Sequence, residues 1–105
     1  MLEKLTPTAF EAYLGDFFEL TLPDAQTMDL RLFELKRYGG RPDANRPQDM
    51  QRQESFSVVF QGSTEQPLSQ GMYALSHAKM GTIDALFLVP VAQDEDGRYY
   101  EAVFN

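Results

Sequence analysis

The acidic turn Asp94-Glu95-Asp96-Gly97 is the first candidate for chemistry, because it places several carboxylates within four residues. Asp94, Asp96 and Gly97 match only the start of a calcium-binding loop, which needs further oxygen ligands and a glutamate near its twelfth position. Here Arg98 follows at once. Asp-Gly between two apolar runs is typical of a β-hairpin, because glycine accepts positive φ and aspartate tolerates it. We therefore interpret this segment as a hairpin turn.

His77 is the only histidine of the chain, and the chain has no cysteine. A lone histidine cannot build a histidine-rich metal site, and a catalytic triad would need Ser76 or another serine beside it. An enzyme would require His77 to lie in a cleft next to a carboxylate or a serine. Gly39-Gly40 is followed by Arg-Pro instead of a helix start, so it is not a phosphate loop. The sequence predicts no catalytic residue, metal site or cofactor.

Tyr99 and Tyr100 fall on opposite faces of the last predicted strand. We expect one of them to fill the core with its hydroxyl at the rim, and the other to be exposed. Tyrosine and arginine are enriched at interface hot spots, so Arg98 and Tyr99 are candidate partner-binding residues. The alternative is a cross-strand pair on the surface without a partner.

A long irregular segment, Gly39–Gln53, contains two glycines, two prolines and almost no apolar side chain. Its arginines, Arg41, Arg46 and Arg52, are a third of the basic residues of the chain. Loops of this length in a compact domain are usually functional or disordered. These three arginines are therefore candidate partner-binding residues, and a solvated connection without a partner is the alternative.

The N-terminal segment predicts a short helix over residues 6–14. Thr6 can cap it, Pro7 suits its first position and Gly15 suits its end. Leu5 and Phe10 have the spacing of a hydrophobic staple. Two turns are not stable alone in water, so we expect this helix to cover an open end or edge of a sheet.

The rest of the chain alternates between apolar and polar residues, with turn residues at close spacing, and predicts strands over residues 17–22, 27–38, 54–61, 71–77, 83–92 and 98–104. A slip in the alternation predicts a β-bulge near Leu32–Phe33. Pro90 predicts an edge or a bulge, because proline donates no ladder hydrogen bond. The predicted fold is mainly β: a small antiparallel barrel or closed sandwich of about six strands with the short helix. Short connections predict an up-and-down strand order.

Length and charge narrow the functional classes. A chain of 105 residues predicts a single domain over residues 1–105. The net charge of −7 argues against nucleic acid as a partner, because phosphate binding needs a positive surface. The sequence shows neither a signal peptide nor an apolar run of about 20 residues that could span a membrane, so we expect a cytoplasmic protein.

Several segments together resemble a small bacterial family of unknown function. They are the N-terminal Leu5-Thr6 with Phe10, the strands Gly71-Met-Tyr-Ala-Leu-Ser-His and Leu86-Phe-Leu-Val-Pro-Val, and the final Tyr99-Tyr-Glu-Ala-Val-Phe-Asn. The resemblance covers nearly the whole chain apart from Gly39–Gln53 and brings no catalytic residues. Such proteins are often encoded near phage tail-collar or tail-fibre-like proteins, so the resemblance implies an accessory or structural role.

These observations predict a non-catalytic interaction or structural protein with a protein partner, such as a tail-collar or fibre-like protein. The alternative is a β-barrel that binds a small apolar ligand in a pocket lined by aromatic side chains. The sequence favours neither a monomer nor an oligomer.

Overall fold

The structure, a computed structural model, describes residues 6–37 and 55–104. The predicted fold class is confirmed: these residues are mainly β, with one short helix and six strands that form a closed antiparallel barrel. None of the helices in the described ranges is long and apolar enough to cross a membrane. The elements in chain order are α1 (Pro7–Glu11), β1 (Phe17–Thr21), β2 (Thr27–Arg37), β3 (Phe56–Gly62), β4 (Gly71–His77), β5 (Gly81–Asp94) and β6 (Gly97–Phe104).

The strand order around the barrel is β1-β2-β3-β6-β5-β4, so the predicted up-and-down order is wrong. Strands β1 to β3 form a meander, and β4 returns to pair with β1, which is the Greek-key arrangement. The connection between β3 and β4 contributes Leu68 to the core, where it is only 7% exposed. The Leu68 N–H donates to the hydroxyl of Tyr100, at 2.9 Å, so this connection is tied to the strand that pairs with β3.

Strands β2 and β5 bend, and each pairs with different neighbours along its two halves. In β5 the first half pairs with β4 and the second half pairs with β6. Register shifts occur in β2 between Leu32 and Glu34, and in β5 between Pro90 and Ala92. Both predicted irregularities are thereby confirmed, and bulges of this kind let one strand turn a corner between two sheets.

The inward-facing side chains of the strands form one apolar core. Tyr100 is the core tyrosine that the sequence predicted, because it is 1% exposed and its hydroxyl reaches the β3–β4 connection. The core cluster contains Phe10, Phe18, Leu20, Met28, Leu30, Leu32, Phe56, Val58, Phe60, Leu68, Leu75, Ile83, Leu86, Leu88, Tyr100 and Ala102.

Helix α1 covers one end of the barrel, as predicted, although it is shorter than residues 6–14. The Thr6 hydroxyl accepts the Ala9 N–H at 3.1 Å, and the helix is followed by a turn whose last residue, Gly15, has a φ of +91°. Phe10 is fully buried. Its ring centroid lies within 6.5 Å of those of three core or partly buried rings, which belong to Phe18, Phe56 and Phe104. Leu5, the other half of the predicted staple, lies outside the described residues.

The predicted β5–β6 hairpin is confirmed, but Gly97 is needed there for a different physical reason from the predicted one. Asp94 pairs with Gly97, so Glu95 and Asp96 form the tip. In the described ranges the glycines with positive φ are Gly15 and Gly81, so Gly97 does not supply that conformation. A Cβ on Gly97 would lie 2.5 Å from the backbone oxygen of Gly62. Close approach of two backbones therefore requires glycine here.

Candidate interaction site on the outer wall

The structure places two of the five predicted partner-binding residues. Arg98 and Tyr99 lie at the start of β6. Arg41, Arg46 and Arg52 lie outside the described residues, so their partner-binding role stays a prediction. The Arg98 Nε–H donates to the carbonyl oxygen of Thr64, at 3.1 Å, and thereby anchors the β3–β4 connection. Its role toward a partner is likewise a prediction.

Tyr99 lies on the outer face of the barrel, but the expectation that it is exposed is wrong. Its side chain is only 8% exposed. The ring of Phe33, a residue at the β2 bulge, packs against it with centroids 5.0 Å apart. Since β3 lies between β2 and β6, this contact spans the outer surface of β3. The bulge thus brings the ring of Phe33 over the ring of Tyr99, which the sequence analysis named as a candidate partner-binding residue.

A chain of hydrogen bonds holds the Tyr99 hydroxyl in place. The Gln61 amide Nε2 donates to it at 3.1 Å, and the hydroxyl in turn donates to the Asp94 carboxylate at 3.1 Å. Arg31 Nη1 donates to Gln61 Oε1 at 3.5 Å. Asp94 Oδ1 also accepts the backbone N–H groups of Asp96 and Gly97. The carboxylate of Asp94 therefore stabilises the hairpin turn and the outer wall together.

Partial burial raises the pKa of the Tyr99 hydroxyl above its ordinary value of 10.0. The hydrogen bond from Gln61 acts in the opposite direction, while the hydrogen bond to Asp94 and its negative charge add to the increase. Tyr99 is therefore a protonated hydrogen-bond donor at neutral pH, with a structural role under Phe33.

This pKa has a consequence for stability at alkaline pH. Above pH 10 the tyrosine of the unfolded chain ionises before the folded one, so the unfolded state binds fewer protons and stability falls as pH rises. We expect the free energy of unfolding to fall more steeply as the pH rises above 10.0 in the natural protein than in Tyr99→Phe. Urea denaturation across this range measures both slopes, and equal slopes would contradict the assigned pKa direction.

Phe17 and Phe33 extend this wall as exposed aromatic side chains, 63% and 45% exposed. Phe17 on β1 lies directly opposite Arg31 on β2, and Arg31 lies opposite Gln61 on β3, which lies opposite Tyr99 on β6. The Gly15 N–H donates to the Leu32 carbonyl, so β1 and β2 stay paired up to the bulge. We call the five residues Phe17, Arg31, Phe33, Gln61 and Tyr99 the outer-wall patch.

The sequence contained a signal for two members of the patch. Phe17 shares the polar face of β1 with Glu19 and Thr21, where a large aromatic residue stands out. Phe33 occupies the slip in the alternation of β2, and bulges often re-aim a side chain. Their proximity to Tyr99 depends on the strand order, which the alternation does not specify.

His77 lies beside a carboxylate, as an enzyme would require, but its ring is engaged on both sides. Nε2 lies 2.9 Å from Oδ2 of Asp16, and Nδ1 accepts the backbone N–H groups of Lys79 and Met80 at 3.0 and 3.1 Å. These bonds assign the proton to Nε2 and leave no free lone pair for a general base. The side chain is 6% exposed. The arrangement therefore favours a structural role at the β4–β5 turn.

Residues 5–104 match a family model described as Domain of unknown function (DUF6916), and the chain therefore belongs to this family. The resemblance to a small family of unknown function is thereby confirmed. Comparison with curated proteins and with solved structures gives no match.

Proposed function

We propose that this member of the DUF6916 family is a non-catalytic interaction protein that binds a protein partner through the outer-wall patch. The observation that carries the proposal is the pair of exposed aromatic side chains, Phe17 and Phe33, on either side of Arg31. Exposed apolar patches with polar neighbours mark interaction sites, and aromatic residues and arginine supply most hot spots.

The packing beneath the patch supports binding without a large rearrangement. Tyr99 supports the ring of Phe33 from below, and its own hydroxyl is fixed by Gln61 and Asp94. Side chains on paired strands also lose little freedom when they bind, which lowers the entropic cost of association. A partner would therefore find the ring of Phe33 already in position.

The interior of the barrel favours this proposal over the small-ligand alternative. The rings of Phe18 and Phe60 meet edge to face, with centroids 5.4 Å apart, and Phe10 and Leu68 are buried in the same core cluster. The hydroxyl of Tyr100 is bonded to the backbone. Among the described residues, every buried side-chain nitrogen or oxygen has a hydrogen-bond partner. None of these groups therefore needs a ligand to satisfy its hydrogen bonds.

The partner class and the location belong to the same proposal. The resemblance implies neighbours of the phage tail-collar or tail-fibre type, so a protein of that class is the first candidate partner. We propose a cytoplasmic location, because the sequence shows no signal peptide. The engaged ring nitrogens of His77 support the non-catalytic part of the proposal.

Affinity capture with the full chain from cells of its native host tests the proposal. The natural protein is compared with the double variant Phe17→Ser/Phe33→Ser and with the matched control Met72→Ser, which removes a side chain that is 60% exposed on β4, a strand without a member of the patch. Loss of a hot-spot residue typically costs about 2 kcal/mol or more, so we expect roughly thirtyfold weaker binding for the double variant.

The control variant should capture the same partner as the natural protein. Thermal unfolding of all three proteins separates lost binding from lost folding, because Phe33 also packs on Tyr99. Equal capture by the folded double variant would contradict the proposed site, and recovery of no specific protein would contradict the proposed function.

A further inference from the structure

The first half of β5 has a strand edge that the described strands leave unpaired. Residues 82–88 pair with β4, from Ser76↔Thr82 to Gly71↔Leu88. On the opposite edge, pairing with β6 begins only at Val89↔Glu101. Within residues 6–37 and 55–104, no strand pairs with residues 82–88 on that side. Such an edge presents backbone N–H and C=O groups that can pair with another chain.

Exposed apolar side chains flank this edge on the outer face. Beyond Val89↔Glu101 the strands separate, and β6 continues along β3, where Val103 pairs with Ser57. Continuing the β5–β6 register would place Phe87 opposite Val103. Phe87 is 45% exposed and Val103 is 54% exposed, and Met72, directly opposite Phe87 on β4, is 60% exposed. Phe87 and Val103 therefore lie on the two sides of the gap, and Met72 lies one strand further away, on β4.

The charges near the edge are mainly acidic. Asp84 is exposed on β5, and Glu101 is half-buried at the point where β5 and β6 separate. The turn before β5 carries Lys79. The chain as a whole carries a net charge of −7, which opposes association with a second copy and attracts a basic segment.

We propose that residues 82–88 of β5 accept an extended, basic segment of another protein as an added strand. The backbone of that segment pairs with the free edge, its outward apolar side chains pack beside Phe87 and Val103, and a lysine or arginine lies near Asp84. In strand addition the main-chain hydrogen bonds supply affinity, and alternate side chains supply specificity. This surface shares no residue with the outer-wall patch. An experiment that contradicts one of the two proposed binding sites therefore leaves the other untouched.

A peptide of about eight residues, with valine and threonine alternating between terminal lysines, serves as the probe because it matches a typical strand. Its matched controls carry terminal glutamates in one case and alternate N-methylated amides in the other. We expect the lysine peptide to bind and to protect amides within residues 82–88 from hydrogen exchange. Phe87→Ser/Val103→Ser should weaken binding about tenfold or more, and Phe17→Ser should leave it unchanged.

Each other outcome overturns the proposal. No binding, or binding without protection of residues 82–88, would show that the edge is not the binding site. Equal affinity for the lysine and glutamate peptides would contradict a preference for a basic partner. Equal affinity for the N-methylated peptide would contradict binding by strand pairing. Protection of every amide in residues 82–88 of the free protein would mean that this chain already covers the edge. A dimer that Phe87→Ser disrupts would identify a second copy as the occupant.

Discussion

Replacing Phe10 with alanine is expected to lower the free energy of unfolding by about 3–5 kcal/mol. The side chain is fully buried at one end of the barrel, where its ring lies within 6.5 Å of three other phenylalanine rings. A helix of five residues has no stability of its own and depends on this contact. Because small domains are stable by only about 5–15 kcal/mol, the loss is a large fraction of the total.

Phe17→Ala is the matched control, because it removes the same atoms from a side chain that is 63% exposed. We expect its effect to stay within about 0.5 kcal/mol, as for most surface substitutions. Urea denaturation followed by circular dichroism measures both variants. Equal losses for Phe10→Ala and Phe17→Ala would contradict the role of Phe10 as the side chain that closes the barrel end.

Replacing His77 with alanine has the second large expected effect, a loss of about 2–4 kcal/mol in the free energy of unfolding. The imidazole ring packs against Tyr13 and Phe18, with centroids 4.5 and 4.6 Å away. Its Nδ1 atom also accepts two backbone N–H groups of the β4–β5 turn. Alanine would leave a cavity and remove both hydrogen bonds.

Asp16→Asn separates this structural role from the pairing of His77 with its carboxylate. Asp16 has a side chain that is 51% exposed, and asparagine keeps an oxygen that can accept the Nε2 hydrogen. Exposed pairs contribute about 0–1 kcal/mol, so we expect a small loss. Chemical denaturation of both variants measures the difference. A stable His77→Ala variant would contradict the structural assignment of the histidine.

The fold class was predictable because the local signals agreed with one another. Thr6 marked the start of the helix and Gly15 the end of the turn after it, the Asp-Gly pair marked the last hairpin, and the slip at Leu32–Phe33 marked a bulge. Each of these depends on residues close together in the chain. Agreement among such signals is what specifies the type of each element.

The strand order was not predictable, because it depends on contacts between distant residues. The pairing of β3 with β6 requires the connection over residues 63–70 to cross the barrel end, where Leu68 enters the core and bonds to Tyr100. A short connection favours neighbouring strands, and nothing in its composition shows that its leucine is buried in the core.

The candidate site was predictable only in part, for the same reason. Alternation correctly placed Tyr99 and Tyr100 on opposite faces, but it gave no information on what lies over the outer face. Phe33 reaches Tyr99 across β3 because the bulge turns it and because β6 follows β3 in the sheet. The exposure of a residue on an outer face therefore depends on neighbours that only the fold brings together.

The hydroxyl-radical footprint of the captured complex, which reports the solvent accessibility of side chains, tests the central claim most directly. If the outer wall binds the partner, protection should increase at Phe17, Arg31 and Phe33 and stay unchanged at inward residues such as Leu30 and Phe60. New protection confined to the inward residues of the barrel would contradict the account and would favour a ligand bound inside it.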